Sequence, residues 1–121
     1  MTNEPSRDLK LRTKEFALRV IRMYSELPKS DAVAQVLGKQ VLRSGTSIGA
    51  NYREASRGRS KAEFTSKIGD SLKEAEETDY WLELLVDSGV VPAAKMADLL
   101  DETRQLIAIL TTIDKRSKRD R

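Results

Sequence analysis

Apolar side chains recur at three- and four-residue spacings in four stretches of the chain, and turn signals separate them. The first stretch spans residues 8–27 and carries Leu9, Phe16, Val20, Met23, Tyr24 and Leu27 on its apolar line. Pro28 ends it, because the residue before a proline avoids the α region. The second spans 30–57, with Ser30 or Asp31 as its cap and Val33, Leu37, Val41, Ser44, Ile48, Asn51 and Ala55 along one seam. Gly58 is placed to stop it as a C′ glycine. The third, 61–88, opens on Ser60-Lys61-Ala62-Glu63, a capping-box pattern, and continues through Phe64, Ile68, Ser71, Ala75, Thr78, Leu82 and Leu85 to Gly89. The fourth, 92–114, starts at Pro92 and presents Met96, Leu99, Leu100, Thr103, Leu106, Ile107, Leu110 and Ile113. Short connections between long helices force antiparallel neighbours. The pattern therefore predicts an all-α, antiparallel up-and-down four-helix bundle over residues 1–114, followed by a basic C-terminal tail, 115–121.

Inventory narrows the chemistry. The chain has no cysteine and no histidine among its 121 residues. That removes disulfide and thiol chemistry, the commonest general base and the commonest transition-metal ligand. A di-iron bundle needs Glu-x-x-His pairs, which are missing, and no phosphate-binding glycine loop or nucleophile elbow is present. A non-catalytic protein without metal or cofactor is the expectation. No apolar run approaches the ~20 residues that span a bilayer. Residues Met1 to Arg7 are polar and lack the apolar core of a signal peptide, so a cytoplasmic location is expected.

Charge changes the picture more. Residues 1–61 hold 13 Lys/Arg against 6 Asp/Glu, whereas residues 62–114 hold 4 against 12. The first two helices are thus basic and the last two acidic. Such segregation has three readings: pairing across neighbouring helices of one bundle, pairing between subunits, or a basic surface for phosphates. For the third, the candidates are Arg53, Arg57, Arg59 and Lys61 together with Lys115, Arg116, Lys118 and Arg119. On the first helix Lys10, Arg12, Lys14, Arg19 and Arg22 are secondary candidates. Aromatic residues do not alternate with these cations, so base-specific readout is not indicated.

Three features depart from ordinary packing. Gly38, Gly45 and Gly49 lie inside the second helix, where each costs roughly 1 kcal/mol relative to alanine. Either another helix approaches closely there or the helix kinks near Gly45. Polar residues sit on or beside the apolar lines: Arg43, Ser44, Ser47, Asn51 and Glu54 on the second helix, Ser71 and Glu74 on the third. Such groups need partners. A register-fixing polar network between helices 2 and 3 is one reading, and a ligand site built from Arg43, Asn51, Glu54 and Glu74 is another. Finally, Trp81 and Leu84 lie off the main stripe of helix 3, which marks either a subunit interface or a wide core.

The stretch from Val41 to Ala55 contains Arg43, the Ser47-Ile48 pair and Asn51-x-x-Glu54. It resembles the second-helix signature of the four-helix bundle proteins encoded within intervening sequences of 23S ribosomal RNA genes. Gly58-Arg59-Ser60 through Phe64 resembles that family's turn and third-helix start, and Ser71-x-x-Glu74 its third-helix segment. The sequence departs from the pattern at Gly49, where many members have proline, and at Tyr52-Arg53, which replaces Ile-Ala. The resemblance implies a ring-like homopentamer. It also links the chain to basic accessory proteins of diversity-generating retroelements, which engage a reverse transcriptase and nucleic acid. The combined expectation is a homopentamer that binds nucleic acid, RNA in preference, through repeated basic surfaces. The alternative is a scaffold that docks a protein partner such as a polymerase.

Overall fold

The computed structural model describes residues 5–119, with side chains from Leu9 onward. Four helices follow one another: α1 (Pro5–Ser25), α2 (Ala32–Ser56), α3 (Lys61–Asp87) and α4 (Ala93–Arg119). Their ends follow local chemistry. Asp31 supplies the α2 cap, its carboxylate accepting from the Ala34 amide at 3.1 Å. At α3 the Ser60 hydroxyl accepts from Glu63 N at 3.1 Å, and the Glu63 carboxylate reaches back to Arg59 N at 2.8 Å. Gly89 closes α3 with φ at +85°, the conformation that lets Val90 N return to Leu85 O.

Two boundary expectations change. Gly58 does not adopt a left-handed C′ conformation. The α2 end tightens instead through Arg57 N to Glu54 O and Gly58 N to Ala55 O. Space is tight at Gly58, where a Cβ would meet Ala55 O at 3.1 Å and Phe64 N at 3.3 Å. The separate tail expected from Lys115 is also revised, since α4 continues to Arg119. Lys118 pairs with Asp114 one turn back at 3.0 Å, and Ser117 hydrogen-bonds Thr65 of α3. Asp120 and Arg121 lie outside the described residues.

Each helix packs against its chain neighbours: α1 on α2, α2 on α3, α3 on α4. Contact between α1 and α4 is slight, and α1 does not meet α3. The helices therefore stand at four corners with α1 diagonal to α3 and an open seam between α1 and α4. Arg12 clamps that seam, its guanidinium donating to both Glu102 carboxylate oxygens at 2.7 and 2.9 Å and to Gln105 Oε1 at 2.7 Å. The core runs the length of the bundle through Leu9, Phe16, Val20, Val41, Ile48, Ile68, Leu82, Leu85, Met96, Leu106 and Leu110, each essentially inaccessible.

The glycines of α2 resolve in favour of close approach. The helix is continuous from 32 to 56, and Gly38, Gly45 and Gly49 all turn toward α1. A Cβ at Gly45 would come within 2.9 Å of Val20 Cγ2, and one at Gly49 within 2.9 Å of Thr13 Oγ1. Small residues bring the two backbones together, and Thr13, fully buried, satisfies its hydroxyl on Leu9 O.

Candidate nucleic-acid interface

Antiparallel topology puts the start of α1, the end of α2, the start of α3 and the end of α4 at one end of the bundle. Every primary basic candidate falls there. Arg53 and Arg57 occupy the last turns of α2, Arg59 and Lys61 the turn into α3, and Lys115, Arg116, Lys118 and Arg119 the last turns of α4. All eight are exposed. Contacts tie these segments together, with Arg53 Nη2 3.5 Å from Lys10 O and the Thr65–Ser117 bond joining α3 to α4.

Three acids near this end are engaged. Glu54 accepts from Lys67 Nζ at 2.8 Å, Asp114 from Lys118, and Glu63 caps α3. The Lys67 ammonium, by hydrogen bond and charge, holds the Glu54 carboxyl below its ordinary range, and Glu54 in turn raises Lys67. Among the described residues, Arg53, Arg57, Arg59, Lys115, Arg116 and Arg119 make no ion pair. A polyanion approaching this end meets these exposed cations, with Glu54, Asp114 and Glu63 each turned to a partner within the bundle. Helix-end cations also offset the negative C-terminal dipoles of α2 and α4, a structural role that requires no ligand.

The helix-1 candidates divide. Arg12 is consumed by Glu102 and Gln105, while Lys10, Lys14 and Arg22 remain exposed. Arg19 lines the upper α1–α4 seam, a groove of about 590 Å³ that it shares with Arg22, Lys95, Met23 and Leu99.

The polar set of α2 and α3 is only partly brought together. Ser71 Oγ donates to Ile48 O at 2.8 Å, and the Ser44 and Thr78 hydroxyls share a hydrogen bond at 2.8 Å, all buried. These two bonds and the Glu54–Lys67 pair cross between the helices. Ser47 and Asn51 instead bond within α2, to Arg43 O and Ser47 O. The Arg43 side chain is exposed. Glu74 has one buried carboxylate oxygen without a partner, and burial raises its pKa, assisted by Glu77 and opposed by Arg43. The four residues of the alternative ligand site do not converge as a hydrogen-bonded group. Among the described residues no cluster of three or more metal-ligating side chains is placed to hold an ion, and no helix is long and apolar enough to cross a membrane. Trp81 is half-buried against the core, with its ring edge-on to Tyr80 at 5.1 Å. Leu84 is half-buried and lies outside the core cluster.

Signature residues and fold agree with one family. The profile described as 23S rRNA-intervening sequence protein matches residues 8–112. The chain belongs to that family. It is also similar to a crystal structure of a protein with unknown function from the S23 ribosomal protein family of Bacteroides thetaiotaomicron. Identity is 37% and the TM-score 0.84, covering 93% of this chain and 99% of that one. No curated protein matches. Within this intervening-sequence protein, the departures from the family signature have distinct fates. Gly49 abuts Thr13, Tyr52 is buried in the core, and Arg53 projects to the basic end.

Proposed function

We propose that this member of the family is a non-catalytic, cytoplasmic, homo-oligomeric bundle that binds nucleic acid, with RNA preferred, through its basic end. The observation that carries the reading is the gathering of eight exposed cations at one end, of which Lys118 also pairs with Asp114, while Glu54 is engaged by Lys67 and Glu63 by the α3 cap. Five copies, as the family resemblance implies, would present five such ends to one polyanion. Later contacts are then effectively intramolecular, and weak patches add to useful avidity. Mass by light scattering, on the same sample titrated with fluorescent single-stranded RNA across a salt series, tests this. A pentamer whose affinity falls linearly in log–log against salt supports the reading. A pentamer indifferent to RNA overturns it.

A second reading is a scaffold for a protein partner such as a reverse transcriptase. It is favoured by Val33 and Val36, 53% and 62% exposed at the end of the bundle opposite the cations. Binding held by that apolar surface would respond little to salt.

A further inference from the structure

Two faces of the bundle carry exposed apolar residues flanked by opposite charge. On α1, Leu11, Leu18 and Ile21 are 57%, 43% and 42% exposed and share the side turned away from the core. Leu11 and Leu18 are seven residues apart and Ile21 follows three later, the spacing of a helix–helix seam. Lys10, Lys14 and Arg22 flank them, all exposed. On α3, Tyr80 is 54% exposed, and Leu84, one turn on, lies outside the core cluster. Glu76, Glu77 and Asp87 flank that pair.

The fold leaves these charges unused. Of the ion pairs among the described residues, only Arg12–Glu102 joins a cation of α1 or α2 to an acid of α3 or α4. None of the six flanking charges is in an ion pair among the described residues. Residues of the other sign are the minority on each side: Glu15 on the α1 face, and Lys73 with Arg43 of α2 beside the α3 face. Because α1 and α3 stand at diagonal corners, one chain cannot bring its own two faces together.

We propose that the α1 face of one copy binds the α3 face of the next. The occupant of each face is a second copy of this chain, chosen by matched apolar stripes and opposite charge. This deepens the assembly part of the reading above and rests on it for the existence of an oligomer. It makes no use of nucleic acid. Two unlike faces on opposite corners make a head-to-tail contact, which repeats and closes into a ring when the rotation allows. Rim charges steer and orient the approach, while the apolar residues between them supply the desolvated centre.

Mixing two variants tests it. One carries Leu18→Glu and Ile21→Glu, the other Tyr80→Glu and Leu84→Glu, with folding of each checked by circular dichroism. Sedimentation velocity without nucleic acid should show an assembly for the unaltered chain and a folded monomer for each variant. An equimolar mixture should form a dimer of about two chain masses and stop there. Each member brings one intact face to that contact, and the two damaged faces left over carry carboxylates where the apolar centre would have to be buried. Variants that keep the original mass, or a mixture that stays monomeric as a self-complementary interface requires, would overturn the proposal. If Tyr80→Glu with Leu84→Glu fails to fold, Glu76→Lys with Glu77→Lys replaces it; that variant must also lose assembly alone and associate again when mixed with the α1 variant. An unaltered chain that is monomeric yet binds RNA would sink the interface and leave the binding reading standing.

Discussion

Val20 lies so close to Gly45 that the smallest side chain possible at Gly45 would come within 2.9 Å of Val20 Cγ2 and 3.1 Å of Cγ1. Val20 is fully buried and β-branched, so its χ1 is restricted and it has little room to retreat. Gly45→Ala should gain about 1 kcal/mol of helix propensity. It should lose about 1–3 kcal/mol to overpacking. We expect net destabilisation in denaturant titration. Gly69→Ala is the internal control, because its Cβ would meet nothing nearer than Asp114 Oδ1 at 3.9 Å. It should stabilise by about 0.5–1 kcal/mol. Equal effects at the two sites would show that Gly45 is not a contact residue.

The Thr78–Ser44 bond makes a second prediction. Thr78 Oγ1 also lies 2.7 Å from Glu74 O, so one hydroxyl serves both its own helix and α2. Ser44→Ala removes only the cross-helix partner and should cost about 1 kcal/mol. Thr78→Val leaves Ser44 buried with no cross-helix hydrogen bond and should cost at least as much. A double-mutant cycle by chemical denaturation should give a coupling of about 0.5–1.5 kcal/mol. Additive losses would mean the two hydroxyls do not act together in holding α2 to α3.

Glu74 makes stability depend on pH. Its buried, unpartnered oxygen raises the carboxyl above its ordinary 4.5. The folded state then binds the proton more tightly than the unfolded state does. Stability from this group is therefore present below the unfolded pKa and lost as pH rises through the folded one. Glu74→Gln, which stays neutral, should be more stable than the parent at pH 7, by up to about 1 kcal/mol. The advantage should disappear below pH 4. An advantage that persists in acid would assign the effect to packing rather than ionisation.

Helix number, order and topology were legible because each stripe is long and each turn carries its own signal, most clearly the capping box at Ser60–Glu63. The extent of α4 was not. Lys115 to Arg119 read as a solvated charge run, and what keeps them helical is the tertiary Thr65–Ser117 contact and the Asp114–Lys118 pair. Asn51 misled in another way. It sits on the seam by period, yet its amide turns back to Ser47 O while Thr78 makes the bond to Ser44. Periodicity assigns a residue to a face but does not choose its rotamer. The basic end was readable as a set of residues. Its convergence, and the engagement of Glu54 and Asp114 within it, needed the antiparallel packing.

Arg12 and Arg59 separate structural from ligand-facing cations. Both are arginines from the basic half, but Arg12 spends its guanidinium on Glu102 and Gln105, whereas the Arg59 side chain is exposed at the bundle end without an ion pair among the described residues. Arg12→Ala leaves Glu102 without its partner across the open α1–α4 seam, and should lower thermal stability by about 1 kcal/mol. The slope of log affinity against log salt for RNA should not change. Arg57→Ala with Arg59→Ala should do the reverse. The melting temperature should be nearly unchanged, and binding should weaken alike for RNAs of different sequence. The salt slope should fall by about 1 for each phosphate that the variant no longer neutralises. If Arg12 alone alters the slope while the bundle-end pair does not, phosphate binding belongs on the α1–α4 seam and the end cluster serves only to offset the helix dipoles.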